Sequence, residues 1–563
     1  MLSKINKIII IFLIIFNHNT SYSMNPESLK FDEKIVYNYF SALVSLNNNS
    51  NSDSLKFFNY SKNLKETHDE YIKQYIFSLI LNEKINKAIN EIKSIENKKY
   101  TDFFEAQLLL VIDSLKRKDF KSSSYYLKKL KRYEEIGTFE FIITGALEKY
   151  IYLFNKNKIN TNLKDNFGNF SLVNKAFQSC YLGKSNTGSL FLNIINSEDV
   201  GKSRYIFFYI NYLLSQNNLK TALAVSNDID DLNSTLLLSQ TKKWLINENY
   251  KNFENIFSCK NSNNIISEFL FLISNIYSGE GDLKKSNFYF NLSNYLNPSF
   301  KFNLSLLVDN YLEMGDLNKS ENILKNFDKN NEIYYWYKIK KKTQIIDKNQ
   351  DSLKASKYIK NEFKKLKNPS LKIILDMANI VKGFGEYELS IEYYTTILSR
   401  INSDYNMYAD ILYRRGGSYE RIGMEEKSDE DLLESLTINP NSPYVLNYLA
   451  YAWLERNYKI DIAIEMLEKA YALREEDPYI TDSIGWAYYL IGEYQKAEKL
   501  LKKAVRLMPN DPVVNDHYGD VLWKLGNKIQ ASYFWNNVLS FDDTEDKMRK
   551  EILYKLIKGP KKI

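Results

Sequence analysis

Cysteine and histidine are nearly missing from this chain: its 563 residues include 2 cysteines and 3 histidines. The histidines, His18, His68 and His517, are scattered over most of its length. No group of His, Cys, Asp or Glu has the spacing of a zinc site. No glycine-rich loop follows a strand in the way a phosphate cradle requires, and Gly383-Phe384-Gly385 reads as a structural turn. His517 could serve as a general base, but a half-exposed helix histidine without a chemical task is the commoner case. No catalytic constellation is therefore read, and neither a cofactor nor a metal is expected. Proline is scarce, at 9 residues, which leaves long stretches open to helix. Charge of one sign is lacking as well. The formal net charge is +7, two of it in Lys4 and Lys7 and four in the segment from Glu545 onward. The near-neutral body argues against a nucleic-acid surface.

Long apolar runs are absent apart from one near the start. Lys4 and Lys7 precede an unbroken run of nine, Ile8 to Phe16, and Ser21-Tyr22-Ser23 offers small residues for cleavage. Residues 1–23 read as a secretory signal; a spanning helix needs about 20 apolar residues, and Asn17-His18-Asn19 ends the run early. No transmembrane segment is expected after cleavage. Cys180 and Cys259 could pair in an oxidising compartment, but sequence does not place their Cα atoms. Two buried small apolar side chains is the preferred reading.

What is present is a repeat. Counting from Pro478, Ile484 and Gly485 fall at positions 7 and 8, Tyr488 at 11 and Gly492 at 15. Ala497, Leu501, Ala504 and Pro509 follow at 20, 24, 27 and 32. Large apolar groups at 7 and 24 would fill a seam between two antiparallel helices. Small residues at 8, 20 and 27 would let them cross closely. Gly492 supplies the permissive turn, and Pro509 stops the second helix. The pattern recurs 34 residues on at Pro512 and 35 residues back at Pro443, where the Glu455–Ile460 turn carries one extra residue. Further units register near 409, 371, 301 and 267.

This pattern resembles the tetratricopeptide repeat. The fold class expected is all-α, an α-solenoid of tetratricopeptide-type helix-turn-helix repeats, read as one continuous array with an eroded N-terminal half. Residues 24–266 read as divergent repeat-like helices, and 267–543 as the array with units near 267, 301, 371, 409, 443, 478 and 512. Residues 544–563 read as a capping helix and basic tail, with Met548, Ile552, Leu553, Leu556 and Ile557 as its apolar face. A solenoid needs such a cap over its last open edge. Peripheral contact of this basic helix with anionic lipid is the lesser alternative.

In such arrays the first helix of each unit lines a concave groove through positions 2, 5, 9 and 12. The candidate partner-binding residues are Tyr413, Asn447, Tyr451, Tyr479, Asp482, Trp486, Tyr489, Asp516, Asp520 and Trp523. Aromatic residues with a few polar groups are the composition of binding hot spots; the competing reading packs several of them between units. Family members that clamp a C-terminal carboxylate place Lys, Asn or Arg at such positions. Acids stand there in this chain, which disfavours that peptide class. NYLAYAWLERN and DSIGWAYYLIGEYQKAEKLLKKAV resemble exported tetratricopeptide proteins of Gram-negative bacteria. The resemblance implies a non-enzymatic protein-interaction scaffold of the cell envelope, periplasmic or outer-membrane-associated, with a protein partner. The alternative is a helper subunit of an envelope polysaccharide or lipoprotein export machine that binds substrate.

Overall fold

Asp477 and Asp511 each precede a proline that opens a helix. Their carboxylates accept from the free amides of the first turn, Tyr479 N and Ile480 N for Asp477 and Val514 N for Asp511. Aspartate at the cap followed by proline satisfies donors that no helical partner can reach. The same local logic repeats along the chain. The computed structural model describes residues 33–95, 98–161, 170–197, 202–327, 329, 331–349, 351–542 and 544–560. The expected signal segment, 1–23, lies outside them. Among the described residues there are 30 α-helices and four short 3₁₀ turns, and no strand. The fold is an all-α solenoid of helices packed in tandem.

The chain packs as two units. The first holds the described residues up to Asp230 together with Ser234–Ile345, and the second holds Asp231–Asn233 and the residues from Ile346 onward. The sequence reads as one continuous array whose register strengthens from 267, and packing divides the chain near 345. The repeats near 267 and 301 belong with the N-terminal helices.

The reason lies in the first unit's aromatic core. Helix Leu283–Leu296 lies against helix Asp69–Leu81, some 200 residues earlier in sequence. Phe77 stacks on Phe288 with centroids 5.3 Å apart. Asn291 donates to the Ile80 carbonyl at 2.9 Å, and Lys319 to the Leu81 carbonyl at 2.6 Å. A strictly nearest-neighbour solenoid makes no such contacts, so this unit closes on itself. Arg204 donates through Nε and Nη2 to both oxygens of buried Glu268 and lies 4.0 Å from the Phe271 ring centre. Burial pushes the Glu268 carboxyl up, and Arg204 holds it back.

The cysteines correct the sequence reading. Cys180, on helix Phe170–Leu182, is disulfide-bonded to Cys259, with the Cα atoms 5.7 Å apart. Two side chains 79 residues apart in sequence are brought together by tertiary packing, which local pattern does not report.

The second unit is a stack of helical hairpins. Pro443–Glu455 pairs with Ile460–Leu473, Pro478–Leu490 with Tyr494–Leu507, and Pro512–Lys524 with Lys528–Ser540. A Cβ on Gly485 would lie 2.8 Å from Leu501 Cγ, and one on Gly519 would lie 2.4 Å from Trp535 Nε1. Only glycine admits these crossings. The extra residue in the Glu455–Ile460 turn is absorbed by left-handed backbone at Asn457 (φ 51°) and Lys459 (φ 46°). The closing helix, Asp546–Lys558, buries Ile552 completely against the last hairpin, with Met548 and Leu556 beside it. Leu553 and Ile557, expected on the same face, point to solvent.

Candidate functional site

First helices of successive hairpins lie side by side, Pro443–Glu455 against Pro478–Leu490 and that helix against Pro512–Lys524. Their exposed faces therefore form one continuous surface. A cavity of about 630 Å³ opens on it, lined among others by Asn447, Tyr451, Glu455, Tyr479 and Asp482. Glu420 and Glu425 of the preceding hairpin close one side. Tyr479 is 61% exposed, whereas Asn447 and Tyr451 are half-buried. Tyr413 is half-buried too and packs edge-on against Tyr448, with ring centres 5.8 Å apart. Burial raises the Tyr451 phenol's pKa, and the nearby carboxylates of Glu455, Asp482 and Asp516 raise it further. The groove floor thus sits in a negative field.

Farther along, the expected groove residues are engaged within the chain. Asp482 is buried, and both its oxygens face His517 Nδ1, the nearer at 2.9 Å. His517 is 7% exposed rather than half-exposed, because Trp486 stacks on its ring at 4.0 Å. Burial opposes charging this imidazole, yet Asp482, Asp516 and Asp520 outweigh it and its pKa rises. Trp486 is half-buried between repeats, stacked on Tyr489 at 4.7 Å, and its Nε1 donates to Glu455 at 3.3 Å. Tyr489 is only 1% exposed and belongs to the inter-repeat core.

The closing helix accounts for the rest. Lys555 donates to Asp516 at 2.7 and 2.8 Å and to Asp520 at 2.8 Å. Asp520 also accepts from Trp535 Nε1 at 3.2 Å. Burial and the neighbouring Asp516 push its pKa up to about 6, although Lys555 and His517 hold it back. For Lys555 burial works against the charge, but the two carboxylates win and its pKa is raised. Trp523 is covered at Gly559, where an added Cβ would lie 2.5 Å from the indole, and Lys528 sits over its ring. Asp516, Asp520 and Trp523 therefore face the chain's own C-terminal helix. A second cavity, of about 570 Å³, remains between Trp486, Tyr489, Asp520 and Tyr554.

Sequence reasoning placed Glu420 on the groove face, where it lines the cavity, but passed over Glu455 and Lys555. Glu455 lies four residues after Tyr451, on the same helix face, so carrying the periodicity one step further would have found it. Lys555 lies three residues after Ile552, on the buried side of the last helix. Among the described residues, no group of three or more His, Cys, Asp or Glu side chains is placed to hold a metal ion. No helix of the described residues is long and apolar enough to cross a membrane.

Fold and groove together define an all-α repeat protein whose C-terminal unit carries tetratricopeptide repeats. Two segments match the tetratricopeptide repeat family, residues 409–442 and 482–511. A TPR repeat-containing protein of Pseudomonas aeruginosa is 32% identical over 90 residues, 16% of this chain and 15% of that protein. The chain thus aligns with only a small part of that relative's length. Among solved structures, a thermophilic TPR protein of Thermus thermophilus is 18% identical with a TM-score of 0.30, covering 33% of this chain and 100% of that one. MamA of Desulfovibrio magneticus is 18% identical with a TM-score of 0.27, covering 31% of this chain and 97% of that one. Scores of this size carry no argument about function.

Proposed function

We propose that this chain is a non-enzymatic protein-interaction scaffold of the cell envelope that holds a partner polypeptide along the concave face of its C-terminal unit. The observation that carries the reading is the side-by-side array of first helices, which leaves Tyr479, Tyr451 and Asn447 around one open cavity. Tyrosine supplies broad contact area at small entropic cost and keeps a polar end for a partner. The matches to the tetratricopeptide repeat support protein binding as the task. The envelope location draws support from the Ile8–Phe16 run and from the Cys180–Cys259 disulfide, a bond that persists in oxidising compartments.

Two measurements test this reading. Fractionation with N-terminal sequencing should recover a chain that begins at or near Met24 outside the cytoplasm; Met1 recovered from cytoplasm removes the envelope assignment. Affinity capture from envelope extracts should retain a partner on the native chain and lose at least about tenfold of it on Tyr479→Ala, a change of an exposed residue that leaves melting unaltered. Equal capture by both proteins would place the docking surface elsewhere.

A further inference from the structure

Lys555 shows what this concave face accepts. Its ammonium enters from a helix outside the hairpin array and is held by Asp516 and Asp520, which stand at positions 5 and 9 of the last repeat. The chain supplies its own ligand there. One and two repeats earlier, no such helix of the described residues lines the same face, yet the acidic character continues.

The 630 Å³ cavity is lined by the carboxylates of Glu420, Glu425, Glu455, Asp482 and Asp511, against two cations, Arg421 and Arg456. Arg456 is already engaged by Asp429 at 2.7 Å and by Glu425 at 3.2 Å. Asp482 is taken by His517, and Asp511 caps its helix. Glu455 is exposed, and the Trp486 indole that donates to it is neutral. Tyr448, Tyr451 and Tyr479 flank these acids. Rings beside carboxylates suit a side chain with an apolar stem and a cationic head, the stem lying along the rings and the head reaching the acid.

We infer that the groove takes a basic polypeptide segment, one that presents a lysine or arginine to Glu455 while its stem and neighbouring side chains pack on Tyr451 and Tyr479. The inference rests on the reading of this face as a docking surface and adds the chemistry of the occupant. Opposite charge also speeds encounter and excludes acidic partners. The groove thereby selects against the free C-terminal carboxylates and phosphates that a basic groove would take.

The test uses the full chain and two fluorescein-labelled decapeptides, one alternating Lys and Tyr and one alternating Glu and Tyr, followed by fluorescence anisotropy at low and at about 150 mM salt. The Lys–Tyr peptide should bind, weakening with salt, and the Glu–Tyr peptide should not. Glu455→Lys, an exposed change checked by an unaltered melt, should reduce binding at least about tenfold. Equal binding of the two peptides, stronger binding of the acidic one, or full affinity in the Glu455→Lys variant each overturns the inference. A photo-cross-linking Tyr479→p-benzoylphenylalanine chain, with Ile529→p-benzoylphenylalanine as the control outside the groove, separates the two claims. Adducts at 479 that map to an acidic or uncharged partner segment sink the basic-segment inference and leave docking standing. Adducts at 529 alone sink docking too.

Discussion

Replacing Lys555 by methionine keeps the stem and removes the charge that sits between two carboxylates. Its side chain is 15% exposed, that of Asp516 13% and that of Asp520 4%, so water offers little compensation. Removing one partner of a buried ion pair costs roughly 3–5 kcal/mol because the remaining charge is left uncompensated. Asp520 has an escape, which is to take up a proton. Its pKa stands at about 6 even with Lys555 present, and losing the cation raises it further. Protonating an ordinary aspartate costs about 1.5 kcal/mol at pH 5 and about 5 kcal/mol at pH 7.5. The escape therefore limits the damage at pH 5 and hardly helps at pH 7.5. Lys555→Met should cost about 3–4 kcal/mol at pH 7.5 and no more than about 2 kcal/mol at pH 5. Urea denaturation followed by tryptophan fluorescence reads this directly, since Trp535 touches Asp520. Asp520→Asn in the same chain should recover about 2 kcal/mol at pH 7.5, because a neutral amide still accepts from Trp535 and leaves no unpaired charge. A cost that is equal at the two pH values, or below about 1 kcal/mol at pH 7.5, refutes the argument.

The raised pKa values of Asp520 and His517 both favour the protonated forms in the fold. The stability they contribute is complete below their unfolded values and falls as pH rises through the folded ones, so melting should drop between pH 5 and 7.5, less steeply in Asp520→Asn. Gly519→Ala places a Cβ 2.4 Å from Trp535 Nε1 and should cost about 1–3 kcal/mol; an unchanged thermal melt would contradict the close crossing. Ala497 is fully buried where its two helices meet, so Ala497→Leu should cost about 1–3 kcal/mol by overpacking in the same assay. The Cys180–Cys259 bond closes a span of 79 residues, for which chain entropy gives about 4–5 kcal/mol. Cys180→Ser with Cys259→Ser should lower the melting temperature of the first unit, and reductant should do the same to the native chain. A reductant-insensitive melt would exclude the bond.

Helix class, the repeat and its close crossings were legible in the residues alone, because these depend on contacts within about one 34-residue unit. Gly485 against Leu501, the Gly492 turn and the proline-opened helices are local requirements, written at fixed spacing. The groove was legible only as a face, since position 2, 5, 9 or 12 tells where a side chain points and not what else comes to meet it. Tertiary structure decided that Asp482 meets His517, that Tyr489 is core, and that Asp516 and Asp520 are occupied by Lys555, leaving the Tyr451–Tyr479 stretch open. It also decided that Cys180 and Cys259 meet and that the chain divides by packing near residue 345. These outcomes rest on pairs separated by 35 to more than 200 residues. Such pairs carry no periodicity, and long-range packing of aromatic and charged side chains alone brings them together.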